Sequence, residues 1–231
     1  MVAITAILLT QQVDRNIVYR TINGKSLQLD AYRATKPNGR VFIAIHGGGF
    51  TGGNKGGNTG ELCQYLSQRG YTCFDINYRL QRDVGGTIQT AIDAAVEDAS
   101  AAYNWAVSNS AKYGGDPKRI GMGGSSAGAI TSLFTAYSRN TPVKAVIDLW
   151  GGMYGKESDM KRGEAPVLII HGRNDRTVAF SHATNLANRA ASEGIKHKLL
   201  ANDGGHTLAL STRIEGKTLL DHIESFLNEN L

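Results

Sequence analysis

Apolar and polar positions alternate with period two over "NIVYRTI" and again over "KSLQLDAYRA", on either side of Asn23-Gly24. Two alternating runs joined by Asn-Gly signal a β-hairpin, because both turn residues must take positive φ. After a turn at "PNG" (37–39), "VFIAIH" (41–46) is apolar on both faces, as a strand inside a covered parallel sheet must be. In "TGELCQYLSQRG" the residues Leu62, Tyr65 and Leu66 share one helical face, and Gly70 stops the helix. "YTCFDINYRL" predicts the next strand. A long helix follows from Thr87, with Ile88, Ile92, Ala95, Val96, Ala99, Tyr103 and Ala106 on one face. "KRIGMGG" predicts a strand, and "SAGAITSLFTAYS" a helix starting directly after it. "VKAVIDLW", "APVLIIHG" and "IKHKLLAN" predict strands, "SHATNLANRAASEG" a helix, and "EGKTLLDHIESFLNENL" a closing helix. Two antiparallel strands followed by alternating strands and helices predict an α/β fold: a mostly parallel central sheet of about eight strands with helices on both faces. No repeat or long linker interrupts the chain, so one domain over residues 1–231 is expected.

Composition narrows this picture only slightly. The charged fraction is 19% and the net charge +5, with no dense basic stripe interleaved with aromatics, so a nucleic-acid partner is not expected. No run reaches the roughly 18 to 20 apolar residues of a membrane span. "MVAITAILLT" is apolar but has its first basic residue, Arg15, behind it. It reads as a strand or docked segment, with a trimmed signal sequence as the alternative. The expected compartment is the cytoplasm; a secreted or periplasmic one follows if the alternative holds. Cys63 and Cys73 make neither a disulfide framework nor a zinc site, and two buried free thiols are expected, with a single disulfide left open. The 28 glycines against 4 prolines point to modest thermal stability.

The chemistry concentrates at strand ends. Gly124-Ser125-Ser126-Ala127-Gly128 matches G-x-S-x-G between a strand and a helix, which is the context of a nucleophile elbow. The serine must sit on a tight, strained turn, so its neighbours must be small. Ser126 is then the nucleophile and Ser125 points away. Serine needs a base, and the order expected in this arrangement is serine, acid, histidine. "VLIIHGRNDRTV" places Asp175 after one strand and "NDGGHT" places His206 after the next, so the three converge on the carboxyl edge of the sheet. His206 would act as base and then acid, with Asp175 fixing its tautomer. Asp148 after "IDL" is an alternative acid. Asp203 reads as a turn former, and His171, His182, His197 and His222 as structural or surface residues.

"HGGGFTGGNKGGNTG" (46–60) contains a literal G-x-G-x-x-G at Gly47, Gly49 and Gly52, with Asp75 at the end of the next apolar run. A dinucleotide site needs a helix to begin at the second or third glycine, and "GGNKGGNTG" does not read as an early helix turn. Asp75 is therefore a structural strand residue. Instead His46-Gly47-Gly48-Gly49 resembles the HGGG oxyanion motif of lipases and esterases. Gly48, Gly49 and Ala127 are the expected backbone donors, and Gly52 to Gly60 a mobile rim.

"HGGGF", "NYRL", "GGDPKRIGMGGSSAGA", "HGRNDRTV" and "GGH" together resemble the α/β-hydrolase superfamily on its HGGG-bearing side, that of hormone-sensitive-lipase-like and small feruloyl or acetyl-xylan esterase-like enzymes. The resemblance implies the α/β-hydrolase fold, the triad Ser126, Asp175 and His206, the oxyanion donors above and a structural Arg79. It implies no cofactor and no metal. "GGMYGKESDMKRGE", between two strands, leaves no room for the helical cap of the lipase-like relatives. The expected site is open, screened by the 50–60 and 151–163 loops, with Phe50, Trp150, Met153, Tyr154 and Val178 as pocket walls. The expected activity is hydrolysis of short-chain or accessible carboxylic esters, small-molecule or polymer-borne. Feruloyl or acetyl-xylan esters, or arylformamides or peptides cut by the same triad, are the alternatives. A catalytically dead binding module and a dinucleotide-dependent oxidoreductase are the readings from other classes.

Overall fold

A computed structural model describes residues 12–231; the N-terminal apolar segment lies outside them. Strands β1 (Val13–Ile22) and β2 (Lys25–Tyr32) form the expected hairpin. Asn23 and Gly24 both take positive φ, +49° and +76°, which matches the turn to the right-handed strand twist. The strands β3 (Gly39–Ile45), β4 (Thr72–Ile76), β5 (Gly115–Ser125), β6 (Val146–Leu149), β7 (Val167–Gly172) and β8 (His197–Asn202) complete an eight-stranded sheet. Its order is β1-β2-β4-β3-β5-β6-β7-β8; β2 runs antiparallel to both neighbours and every other pair is parallel.

The continuous apolar strands follow from cover on both faces. Val41, Ile43 and Ile45 of β3 point to one core, shared with α3 (Ile88–Asn109), α4 (Ala127–Leu133) and α5 (Phe180–Glu193). Phe42 and Ala44 point to the other, shared with α1 (Gly57–Ser67) and α6 (Leu219–Asn230). The predicted stripe of α3 is buried from Ala95 to Ala106, but Ile88, in the first turn, is 42% exposed and borders an open cleft. A one-turn helix, α2 (Gln81–Val84), leads into α3, and a π turn at Phe134–Ser138 extends α4. A small hairpin of β9 (Arg213–Ile214) and β10 (Lys217–Thr218) precedes α6 and has no counterpart among the predicted elements.

The expectation of free thiols is corrected. Cys63 on the inner face of α1 and Cys73 in β4 are both fully buried and joined by a disulfide, with Cα atoms 5.2 Å apart. The helical face that packs Leu62 and Leu66 on the sheet also aims Cys63 at the strand beneath. Arg79 is structural, as expected: its guanidinium donates to Asp98 and to Glu97, and Arg20 donates to the same two carboxylates.

Candidate active site

The turn from β5 to α4 is forced by close approach of backbone to backbone. A Cβ on Gly124 or on Gly128 would lie 2.0 Å from the Ile45 carbonyl oxygen, so both positions admit glycine alone. Between them Ser126 sits at φ +51°, ψ −119°, a conformation that costs a non-glycine residue of the order of 1–3 kcal/mol. Its N–H is held by the Leu149 carbonyl of β6 at 2.9 Å. Ser125 lines a separate crevice with His46, Gly47 and Thr59.

Asp175 and His206 stand in the loops after β7 and β8, and the parallel register brings both to this elbow. His206 Nε2 is 3.0 Å from Ser126 Oγ and its Nδ1 is 2.7 Å from Asp175 Oδ2. Nδ1 donates to the carboxylate, which leaves Nε2 free to accept from the serine hydroxyl. Asp175 Oδ1 accepts from the N–H groups of Thr177 at 2.8 Å and Val178 at 2.9 Å. Burial pushes this carboxyl up, but the hydrogen bonds from His206, Val178 and Thr177 outweigh it and hold Asp175 below its ordinary range. The acid is therefore ionised at neutral pH.

The rivals fall elsewhere. Asp148 is fully buried under Gly151, whose N–H it accepts at 2.8 Å, and burial raises it to about 7. The Asp203 main-chain carbonyl accepts from Asn174 within the loop. His182 packs against Tyr154 in a tilted ring contact at 4.2 Å, His197 caps the Ile195 carbonyl, and His222 meets the Ile214 carbonyl. His171 touches Asp175, a contact its sequence position did not reveal.

The glycine run turns tightly at Gly48, at φ +123°, whose carbonyl accepts from the N–H of Thr51 and Gly52. A Cβ there would meet the Gly52 carbonyl oxygen at 2.2 Å. Among the described residues no acceptor takes the N–H of Gly48 or Gly49. Gly49 and Ala127 border the cleft beside Ser126, and the Ala127 N–H belongs to the first turn of α4, where helical partners are lacking. His46 supports the loop from behind: Nδ1 is 2.7 Å from the Gly47 carbonyl, and the ring stacks on Tyr78 at 4.4 Å.

The rest of the run, expected as a mobile rim, is tied to the hairpin and to the strand beside it at Lys55 and Gly56. Lys55 Nζ donates to Asp30 at 2.6 Å and to Asn16 at 2.9 Å, and its N–H donates to Asn77 at 2.7 Å. Gly56 N–H donates to Asp75, which burial raises to about 7, and α1 begins at Gly57. That helix starts five residues beyond Gly52, too late for the dinucleotide motif, so the literal match still fails its geometry.

A cleft of about 380 Å³ opens at Ser126, walled by Phe50, Ile88, Ile92, Ile130, Tyr154 and Val178, with Gln89 and Thr177 at its polar margin. Phe50, Tyr154 and Val178 are where they were expected. Trp150 and Met153 are not: both are core residues, 2% and 0% exposed. Trp150 takes φ +47°, which turns its ring down into the core on the α1 and α6 side. Ile88, Ile92 and Ile130 were missed as walls; the stripe of α3 contained two of them, but periodicity did not show that its first turns border the cleft. A polar cleft of about 430 Å³ between the hairpin and α3 is lined by paired charges and none of the triad. Among the described residues no group of three or more His, Cys, Asp or Glu side chains is placed to hold a metal ion, and no helix is long and apolar enough to cross a membrane.

Fold and site together define the class: an α/β-hydrolase whose central sheet presents a Ser–His–Asp relay at its carboxyl edge. The profile of the BD-FAE family matches residues 28–161, more than half of the sequence, and the chain belongs to that family. That match ends before Asp175 and His206, which the fold alone delivers to Ser126. A probable carboxylic ester hydrolase of Mycobacterium tuberculosis, LipM, is 32% identical over 126 residues, 52% of this chain and 27% of that protein. The juvenile hormone esterase of Heliothis virescens is 28% identical over 140 residues, 58% of this chain and 24% of that protein. The chain thus spans about a quarter of the length of these relatives. Among solved structures, esterase 2 of Thermogutta terrifontis phosphoramylated by tabun superposes with a TM-score of 0.79 at 20% identity, over 95% of this chain and 94% of that one. Its propionate-bound form gives 0.75 at 20% identity, over 95% and 94%.

Proposed function

We propose that the chain is a serine carboxylic-ester hydrolase working through an acyl-enzyme. The observation that carries this reading is the unbroken relay from Ser126 Oγ through His206 to an ionised Asp175, at a serine held in strained backbone. Ser126 Oγ attacks the ester carbonyl while His206 Nε2 takes its proton. The oxyanion so formed lies against the N–H groups of Gly48, Gly49 and Ala127, each worth roughly 2.7–4 kcal/mol in the transition state. His206 returns the proton to the departing alcohol, leaving the acyl group on Ser126. A water deprotonated by the same nitrogen then attacks the acyl carbonyl, and Ser126 recovers its proton as the acid leaves.

The substrates this site suits are short-chain or accessible esters. The cleft is apolar but small, and its screening segments are the 50–60 loop and the Gly151–Gly163 loop, which carries only a short turn at Glu157–Asp159. Esterase 2 of Thermogutta terrifontis has been seen bound to propionate and to butyrate and phosphorylated by paraoxon, in keeping with short acyl groups and a reactive serine. The test is a panel of esters of rising acyl length with feruloyl esters, acetylated sugars and xylan, and an arylformamide, run on wild type and Ser126→Ala. Turnover should be highest on short acyl chains and vanish in the alanine variant. Unchanged turnover in Ser126→Ala would refute the nucleophile, and a preference for long chains would refute the open, small-cleft reading.

A further inference from the structure

The sequence motif "HGRND" holds a second histidine four residues before the triad acid. His171 is fully buried at the end of β7, and its Nε2 is 2.9 Å from the Val178 carbonyl oxygen and 3.2 Å from Asp175 Oδ2. Both neighbours are acceptors without a proton to give, so Nε2 must carry the hydrogen; it donates to the Val178 carbonyl, with Asp175 Oδ2 3.2 Å from the same nitrogen. Nδ1 is buried with no partner among the described residues, which a bare ring nitrogen tolerates better than an N–H does. Burial also lowers the basicity of His171, and the titratable groups acting on it are Asp175 and His206. The ring is therefore neutral, in the Nε2–H form. Phe180 closes its other side edge-on at 5.9 Å.

We propose that His171 is a positioning residue of the relay: its Nε2–H holds Asp175 Oδ2 in line with His206 and, through the Val178 carbonyl, fixes the turn whose N–H groups hold Oδ1. The inference rests on the serine-hydrolase reading above for its kinetic consequence. With His171 in place, Oδ1 accepts from two N–H groups and Oδ2 from His206, with the polarised Nε2–H of His171 3.2 Å from Oδ2, so the carboxylate cannot rotate without losing several favourable contacts. Without it, Oδ2 turns on a single contact, and its negative charge bears more strongly on the His206 ring, favouring the imidazolium.

The experiment compares wild type, His171→Phe and His171→Gln, the last of which can place an amide N–H near the same acceptors. In His171→Phe, kcat on a short ester should fall roughly tenfold with KM little changed. The acid limb of its kcat/KM profile should move to higher pH by roughly half a unit. His171→Gln should restore much of both. A folded His171→Phe with kcat and acid limb unchanged would overturn the inference, as would a loss of kcat that Gln does not restore and that leaves the limb in place. Nitrogen-15 NMR of wild type tests the same claim without any variant: His171 should show a protonated Nε2 and a bare Nδ1 at neutral pH. A protonated Nδ1 would overturn it. An Nε2–H signal in a chain that hydrolyses no ester would sustain the geometry while sinking the ester-hydrolase reading.

Discussion

Gly128→Ala is the smallest change that should uncouple the elbow from the sheet. An added Cβ would lie 2.0 Å from the Ile45 carbonyl oxygen and 2.6 Å from that of His46, and real Cβ atoms do not approach closer than 3.0 Å. Both obstacles are backbone, and Ile45 is fully buried in the middle of the sheet, so it cannot yield. Helix α4 must move instead, by about 1 Å. That helix carries the Ala127 N–H and follows directly on Ser126, so the nucleophile and one oxyanion donor shift together. A misplacement of this size costs about a hundredfold in rate. Overpacking adds a destabilisation of about 1–3 kcal/mol, a fall of roughly 2–10 °C in the midpoint of a domain this size. The assay is kcat/KM on a short ester beside thermal unfolding. Gly205→Ala is the control: it adjoins His206, yet an added Cβ there meets nothing within 4 Å. It should keep activity within about twofold, as an unstrained surface change does. Wild-type kcat/KM in Gly128→Ala, with an unchanged midpoint, would show that close packing of the elbow on β3 does not set the site.

Other consequences can be measured independently. Asp175→Asn should lower kcat by roughly 10⁴ with modest loss of stability, because the amide favours the wrong His206 tautomer; a loss under tenfold would move the acid's role elsewhere. Asp148 stays protonated in the folded chain up to about 7, against an ordinary carboxyl range near 4 when unfolded, so its contribution to stability falls as pH rises between those values and is flat above. Asp148→Asn should therefore gain on wild type by about 1–4 kcal/mol between pH 4 and 8, read from denaturant titrations, and a pH-independent difference would contradict the burial argument. The purified chain should show no free thiol until reduced, and Cys63→Ala with Cys73→Ala should lower stability by about 3 kcal/mol. Ile88→Ala, at an exposed lip of the cleft, should change stability by no more than about 0.5 kcal/mol while raising KM several-fold for esters long enough to reach it.

The relay was legible because its parts are tied to strand ends. Small residues around Ser126 need a turn that side chains would block, and loops after adjacent parallel strands must open on one edge. The order β5, β7, β8 then brings Asp175 and His206 within reach of the serine, with Asp148 in β6 as the competing acid that only its burial removes. None of this depends on distant side chains, and the placement of Asp175 and His206, beyond the residues matched by the family profile, followed from strand topology together with the serine–acid–histidine order of the motif.

What stayed hidden depended on contacts far along the chain or on a single backbone angle. Trp150 and Tyr154 both follow β6 and both take positive φ, yet one ring turns into the core and the other lies tilted against His182 at the cleft. Nothing local distinguishes them; Gly151 and Gly152, pressed against Ala129 and His182, set the path between them. The glycine loop offered no visible anchor in the sequence because glycine has no side chain, yet Lys55 supplies one, reaching Asp30 and Asn16 of the hairpin. The Cys63–Cys73 pairing required knowing that α1 lies on β4 with that face inward. The same holds for His171, which read as a strand-end packing residue until the turn at Val178 folded its own carbonyl and the triad acid onto one ring nitrogen. A strand-end position predicts that a side chain can reach the site edge; only the fold of the following turn decides whether it supports the chemistry or merely fills space.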